Sequence, residues 1–409
     1  MRFAFIDGEK LCLYQDGKVI KEESGYITKY REKALAATKN KEWKSRTDRM
    51  ISDEPFFDEE NGVRTEIFSI CPYFEENKLI YAFSVDSGAC VYLKYLQDEK
   101  GTEAHVVSSN EVQFGSVSVS KDGQMLFSVK KGYGGDIALL SANGDYKRVT
   151  GGDSLDENPY LTRSGNILFN SFAIGRYENN EFCEYISSAV YLLKTGSLEM
   201  QTVLEDESGK YSFVKPQSTK NELYCICCEK EKEKRQNVFL SILLIPVRIL
   251  QAIVGFISLF VTLFTGKPLV GGNGKTRSGL GAAKAPKDGR TVALNNYVFN
   301  VNEQLKRNAK EADGGFVPKA CKLVKLPFSE NEFFGEKESG LDKAEVLVSG
   351  VADFVLIEEN GKQTVVYTNG KHIFALQDGQ KRKLLDVDFC IRLGAVNVGG
   401  GQTGLFDGL

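Results

Sequence analysis

Apolar and polar positions alternate along most of this chain in short bursts that read as β-strands joined by polar turns. The pattern is ICPYFEENKLIYAFS at Ile70–Ser84, VSVSKDGQMLFSV at Val117–Val129 and PYLTRSGNILFNS at Pro159–Ser171. It returns as FVKPQSTKNELYCIC at Phe213–Cys227 and DFVLIEENGKQTVVYT at Asp353–Thr368. Gly, Asn and Asp in the turns supply the positive φ that tight hairpins require. Further strands follow in DIALLSANGDYKRVT (Asp136–Thr150), AVYLLKTGSLEMQTVL (Ala189–Leu204) and HIFALQDGQKRKLL (His372–Leu385). Each unit is therefore four short strands, a to d, recurring about every 45 residues, which predicts an all-β fold of β-propeller type.

The ends of the chain fit a ring. Phe3–Glu22, FAFIDGEKLCLYQDGKVIKE, resembles Thr364–Leu385, TVVYTNGKHIFALQDGQKRKLL, which supplies strands b, c and d of the last unit. The first unit thus begins at strand b. Asp388–Asn397, DFCIRLGAVN, is a spare apolar stretch that can provide the missing strand and close about six blades. Closure would cover edges that otherwise invite aggregation. The expected organisation is blades 1–5 over residues 1–229 with a helical insert at 26–55, an apolar and basic insertion at 230–319, the remainder of the ring at 320–398, and a flexible tail at 399–409.

Two units carry a nameable likeness. Ser120-Lys-Asp-Gly-Gln-Met-Leu-Phe, followed by Asp136-Ile-Ala-Leu-Leu and Lys147-Arg-Val-Thr, resembles the TolB-type, WD40-like propeller repeat, as does Asp156-Glu-Asn-Pro-Tyr-Leu-Thr-Arg-Ser-Gly-Asn. The resemblance implies a propeller and a general binding role, with no catalytic mechanism. TolB itself is periplasmic, whereas MRFAFIDGEK has no long apolar region or small-residue cleavage site, so no secretory signal is expected here.

Because adjacent strands run antiparallel, a–b and c–d turns share one face of a propeller, while b–c and d-to-a connections share the other. Tight turns such as SKDGQ, SANGD and LQDGQ lie on the first, predicted to be smooth. The long inserts fall on the second: Tyr26–Pro55, the tyrosine- and acid-rich loop Ala173–Ser188, and Glu229 to about Lys319. Ile27–Met50 lacks Gly and Pro and is rich in helix formers, which predicts a basic helix, either packed on the disc or facing lipid headgroups.

The longest apolar run is VFLSILLIPVRILQAIVGFISLFVTLFTG, Val238–Gly266. Twelve of the residues from Pro246 to Thr265 are Val, Ile, Leu or Phe; together they favour the membrane by about 4–7 kcal/mol, against up to about 3 for a central arginine. Arg248 lies near one end and can snorkel. Arg248, Gln251, Gly255, Ser258, Thr262 and Thr265 form one narrow stripe at helical spacing, leaving Phe256, Phe260 and Phe264 on a wide apolar face. The chain must return to complete the ring, no second long apolar run follows, and both flanks are basic. A re-entrant or in-plane helix at 238–265, dipping from the cytoplasmic face of the cell membrane and followed by a flexible linker at 266–290, is the expectation. The alternative is a helix docked on the propeller or into a partner protein.

Charge distribution sharpens this picture. Net charge is −3. Residues 230–319 carry +9 and residues 27–50 carry +5, so the remainder carries −17. Basic segments on an acidic body suggest an anionic membrane surface, and no nucleic-acid partner is expected. Nine cysteines, mostly in strand patterns, point to free buried thiols in a reducing compartment.

Catalytic and cofactor chemistry finds little footing. Gly271-Gly-Asn-Gly-Lys-Thr has Leu269 where a phosphate-binding loop needs its first glycine. The two histidines, His105 and His372, lie far apart, and no Gly-x-Ser-x-Gly elbow is present. Asp153, Asp156 and Glu157 suit turn chemistry better than calcium. No cofactor is expected. The reading is a non-enzymatic scaffold that binds a protein partner, with Trp43, Tyr177, Phe182 and Tyr185 as contact anchors, since aromatics commonly carry interface energy. A soluble subunit whose apolar helix docks into a partner or oligomer, and a hydrolase built on propeller-face carboxylates, are the competing classes.

Overall fold

The computed structural model describes residues 1–45, 65–85, 88–98, 100–140, 146–206, 208–229, 291–294, 297–330, 343–359 and 361–397, with side chains of the first helix to residue 37. Six antiparallel four-stranded sheets account for nearly all of them. Blade 1 holds β1 (Arg2–Asp7), β2 (Lys10–Gln15) and β3 (Lys18–Glu22). Blade 2 is β4 (Thr65–Pro72), β5 (Lys78–Val85), β6 (Gly88–Tyr95) and β7 (Glu103–Ser109). Blade 3 is β8 (Gln113–Val119), β9 (Met125–Lys131), β10 (Gly134–Leu140) and β11 (Tyr146–Arg148). Blade 4 is β12 (Ser154–Leu161), β13 (Ile167–Arg176), β14 (Phe182–Lys194) and β15 (Glu199–Glu205); one parallel pairing, Gly135 with Leu155, ties it to blade 3.

Blade 5 begins with β16 (Tyr211–Ser218) and β17 (Glu222–Glu229) and resumes, after the insertion, with β20 (Cys321–Pro327) and β21 (Glu345–Ser349). Between them stand the two-stranded hairpin of β18 (Thr291–Leu294) and β19 (Tyr297–Asn300) and the short helix α2 (Val301–Asn308). Asn300 caps α2 by accepting the Glu303 N–H at 3.1 Å. Blade 6 is β22 (Asp353–Glu359), β23 (Lys362–Thr368), β24 (Gly370–Gln377) and β25 (Gln380–Cys390). The last strand, β26 (Leu393–Gly394), completes blade 1 by pairing with Phe5 and Ala4 of β1.

Strand periodicity explains the ring. Successive side chains point to opposite faces of a sheet, and every blade packs on two neighbours. Phe3 and Phe5 of β1 therefore enter a cluster with Val355, Val366 and Ile373 of blade 6, while Ala4 and Ile6 enter one with Ile70, Leu79 and Tyr81 of blade 2. Equivalent apolar clusters fill the blade 2–3, 3–4, 4–5 and 5–6 interfaces. The innermost strands touch in a cycle, β26 to β4, β8, β12, β16, β22 and back to β26. The fold is an all-β, six-bladed propeller closed by a C-terminal strand.

The closing segment is shorter than expected. Asp388–Cys390 belongs to β25, and only Leu393–Gly394 pairs as the missing strand. Beyond it the chain straps across blade 2 to blade 3: Cys71 Sγ reaches Ala395 O at 3.3 Å, Asn397 N donates to Val119 O at 2.8 Å, and Asn397 bridges Ser120.

The insert at the d-to-a connection of blade 1 is α1 (Gly25–Ser45). Ser24 caps it, its Oγ accepting the Ile27 N–H at 3.1 Å and meeting the Tyr81 hydroxyl at 2.8 Å. The Glu103 carboxylate accepts the N–H groups of Gly25 (3.0 Å) and Tyr26 (2.8 Å), where a helix N-terminus favours negative charge. Lys94, almost fully buried, lies between Glu103 and Glu22 at 3.3 and 3.2 Å. Tyr26, Ile27 and Tyr30 pack on the disc, whereas Leu35, Ala36 and Ala37 are exposed, so the body holds this helix by its first turns.

Three expectations need correction. Ala173–Ser188 is not a loop: β13 and β14 pair through it to a turn at 177–181, because FAIGR and FCEYISS alternate like the strands they extend. The tight-turn face is not uniformly smooth, since Pro327 and Glu345 bound a long c–d connection in blade 5. The cysteines are not all free: Cys228 of β17 and Cys321 of β20 face each other in register and form a disulfide. The others, including Cys225 and Cys227, are free, and all but Cys183 are buried.

The apolar insertion, with Pro246, Arg248, Gln251, Gly255, Phe256, Ser258, Phe260, Thr262 and Phe264, and the Gly271 motif lie outside the described residues. So does the Trp43 side chain. Among the described residues, no helix is long and apolar enough to cross a membrane.

Candidate functional site

Strand a of each blade lines the central channel, and in four blades that strand is bulged. The register shifts at Phe68 in β4, at Gly115–Ser116 in β8, at Asn158–Pro159 in β12 and at Lys215–Pro216 in β16. A bulge leaves a residue unpaired and re-aims its side chain. Asn158 and Lys215 adopt positive φ (53° and 54°), and proline follows each, where it withdraws a ladder donor without cost to a bulged strand. The Asn170 side chain fixes both bulges: its Oδ1 accepts Asn158 Nδ2 at 2.9 Å and Lys215 N at 3.1 Å.

These bulges surround a cavity of about 370 Å³ that also reaches Leu294 of β18, Tyr185 of β14 and the Arg392–Asn397 strap. Its charged groups are Lys130, Glu157, Lys215, Asp353 and Arg392. Lys130 pairs with Glu157. Lys215 Nζ sits 2.6 Å from Asp353 Oδ1 and donates to Leu393 O at 2.7 Å, while Asp353 Oδ2 accepts the Leu393 N–H at 2.7 Å. Burial holds the Lys215 ammonium below the ordinary lysine range, with the Asp353 carboxylate opposing that shift. Arg392 donates from Nε to Phe68 O (3.0 Å) and from Nη1 to Ile391 O (3.2 Å).

Lys215, Asp353 and Arg392 do not stand out in the sequence. A signal was present in the proline dipeptides at equivalent positions of two repeats, Asn158-Pro159 and Lys215-Pro216, which mark bulges on the innermost strand.

The predicted aromatic anchors fare differently from one another. Phe182 stacks on Tyr133 with ring centroids 4.0 Å apart and planes at 6°, and Tyr185 meets Phe182 edge-on at 5.2 Å. The Tyr185 hydroxyl donates to Tyr133 O at 2.9 Å, and its ring packs on Phe172 at the channel wall. Tyr177 stands apart at the hairpin turn, 60% exposed, beside an exposed Cys183. Phe182 and Tyr185 thus form one aromatic group with Tyr133, a residue missed because it sits in a turn of another blade.

The acidic link is used internally. Asp153 holds Arg176 through two contacts of 2.5 and 2.8 Å, Asp156 accepts the hydroxyls of Ser154 and Ser171, and Glu157 takes Lys130. His105 packs edge-on against Tyr92, and His372 Nδ1 meets Asp386 at 2.6 Å on the surface.

No family model matches the sequence, and no curated protein matches it. Among solved structures, TolB from Acinetobacter baumannii is similar over 96% of this chain and 65% of that one, at 12% identity and a TM-score of 0.42. Kuenenia stuttgartiensis hydrazine synthase is similar over 79% and 39%, at 10% identity and 0.40. An oligogalacturonate lyase from Vibrio parahaemolyticus is similar over 81% and 84%, at 10% identity and 0.33. The chain spans 26% of the puromycin hydrolase it also matches. With six interlocked blades and a cyclic run of innermost strands, the chain has the fold of a six-bladed β-propeller.

Proposed function

We propose that this chain is a non-enzymatic propeller scaffold that binds a protein partner on its insert-bearing face and is held at the cytoplasmic face of the cell membrane by segment 238–265. The aromatic group formed by Phe182 and Tyr185 of the extended β13–β14 hairpin with Tyr133 of the β9–β10 turn supports the partner surface. It is stiff, apolar and partly exposed, the combination that makes good anchors. The turn of that hairpin, α1 and both ends of the insertion belong to b–c or d-to-a connections, so all emerge on one side. An anchor in segment 238–265 would set that side toward lipid, and the basic residues of α1 would face anionic headgroups.

Two measurements test this. Full-length protein should pellet with phosphatidylglycerol-containing vesicles in high salt, and a variant lacking 238–265 should remain in the supernatant as a folded propeller. An intact chain that stays monomeric and soluble without detergent overturns the anchoring. A deletion that changes only oligomeric size assigns the segment to docking instead. For the partner surface, a photo-crosslinking residue at 182 should trap one discrete adduct in cells, lost on Tyr133→Ala; diffuse labelling unaffected by that change refutes it.

A further inference from the structure

The channel charges do not cancel. Lys130 neutralises Glu157 and Lys215 neutralises Asp353, which leaves the Arg392 guanidinium. Among the described residues it has no carboxylate within ion-pair distance; two of its N–H groups go to backbone carbonyls, and the rest of its fork has no acceptor. A half-buried guanidinium without a counter-ion is costly, and its planar fork matches a carboxylate bidentately. The cavity wall beside these charges includes Phe114, Val117, Leu155, Phe172, Val214 and Leu294. Its volume of about 370 Å³ falls within the range of small-molecule sites, which combine an apolar lining with a few orienting polar groups.

We infer that the propeller channel is a binding site for a small organic carboxylate with an apolar body, its anionic end held by Arg392. The paired lysines do not bind the ligand in this scheme. They keep Glu157 and Asp353 from repelling the ligand, and Lys215 also holds the Leu393 backbone next to Arg392. A phosphate dianion would leave one charge uncompensated, so a monoanion is the better match. The site needs neither membrane attachment nor a partner on the aromatic hairpin, although Tyr185 of that hairpin forms part of its wall.

The experiment uses the full chain and three probes, phenylacetate, indole-3-acetate and 4-hydroxybenzoate, each beside its uncharged amide, read by saturation-transfer NMR and calorimetry. At least one acid should bind about tenfold or more tighter than its amide, the discrimination expected of a hydrogen-bonded ion pair. Arg392→Gln should remove that preference and Arg392→Lys should retain part of it. Arg148→Gln, which removes an exposed guanidinium paired with Asp136 outside the channel, should leave affinity within about threefold. If Arg392→Gln fails to fold, the acid-to-amide ratio in the unaltered chain decides alone. No binding by any of the three acids, equal binding of acid and amide, or unchanged affinity in folded Arg392→Gln overturns the inference.

Discussion

Replacing Gly394 with alanine tests how the ring is closed. Gly394 pairs with Ala4 in β26, and a methyl group built there overlaps the Ile70 carbonyl oxygen and comes within 2.8 Å of the Cys71 Cα. Both obstacles are backbone of β4, so no side-chain rotation relieves the clash. Either β26 stays and the blade 1–2 interface deforms, at about 1–3 kcal/mol for overpacking, or the strap lifts away. Lifting forfeits the Leu393 N–H bond to Asp353 and the Lys215 bond to Leu393 O, both charge-assisted and worth roughly 1.5–3 kcal/mol each. The expected loss is therefore about 1–3 kcal/mol if the interface deforms and about 3–6 kcal/mol if the strap lifts, a sizeable fraction of a typical folding free energy either way. Urea unfolding followed by circular dichroism measures it, with Gly196→Ala as control. Gly196 has open space where a Cβ would go, and its change should stay within about 0.5 kcal/mol. The Gly394 variant should also aggregate more readily, because a detached strap bares the edge of β1. Equal midpoints for the two variants would refute the view that this strand locks the ring.

Other expectations concern single contacts. Lys94→Met leaves Glu103 and Glu22 without their shared ammonium and should cost about 3 kcal/mol, with faster amide exchange at Gly25–Ile27. Asp206 should give an acid-limb signature. Burial pushes its carboxyl up, but the Ser208 hydroxyl and the Ser208 and Tyr211 N–H groups more than compensate and hold it below the ordinary aspartate range. Its stabilising contribution is complete above the unfolded aspartate pKa of about 3.9 and disappears as pH falls through the lower folded value. Asp206→Asn should therefore flatten the stability–pH curve on that limb. Of the nine cysteines, seven should react with a thiol reagent in non-reducing denaturant, and Cys183 should react first in the native protein; nine reactive thiols without reductant would contradict the Cys228–Cys321 bond.

The blade count and the closing role of the C-terminal end were readable because each strand buries two faces. A strand such as FAFID or KLCLY then keeps an apolar run that turn residues punctuate cleanly. The division of that run between two interfaces needs only the two-residue period, as Phe3 and Ala4 demonstrate. The Cys228–Cys321 pairing was not readable, because the partner's register is set across an insertion whose length carries no register information. Arg392 was invisible for a similar reason. It follows the last long strand, and the strap that carries it takes its course from contacts with Phe68, Cys71 and Val119, all remote in sequence.

The position of the insertion follows from loop thermodynamics. Replacing a tight b–c turn by an excursion of about 90 residues raises the closure cost by only about 3 kcal/mol, since that cost grows logarithmically. Blade 5 has two ways to offset it. Cys228 and Cys321 are covalently joined where the excursion leaves and rejoins the sheet, which shortens the effective loop to be closed in the unfolded chain. On the return path, Val292, Leu294, Phe299 and Phe316 bury themselves in the core shared by blades 5 and 6. Each such side chain contributes roughly 1.5–3 kcal/mol, so the re-entry segment more than recovers the entropy. The same arrangement brings Leu294 to the channel wall. The excursion is thus joined to the binding cavity by a packed hairpin: a ligand in the channel and a tether on the insertion would both act on β18. Their coupling is measurable as a change in channel affinity when the full chain is bound to vesicles.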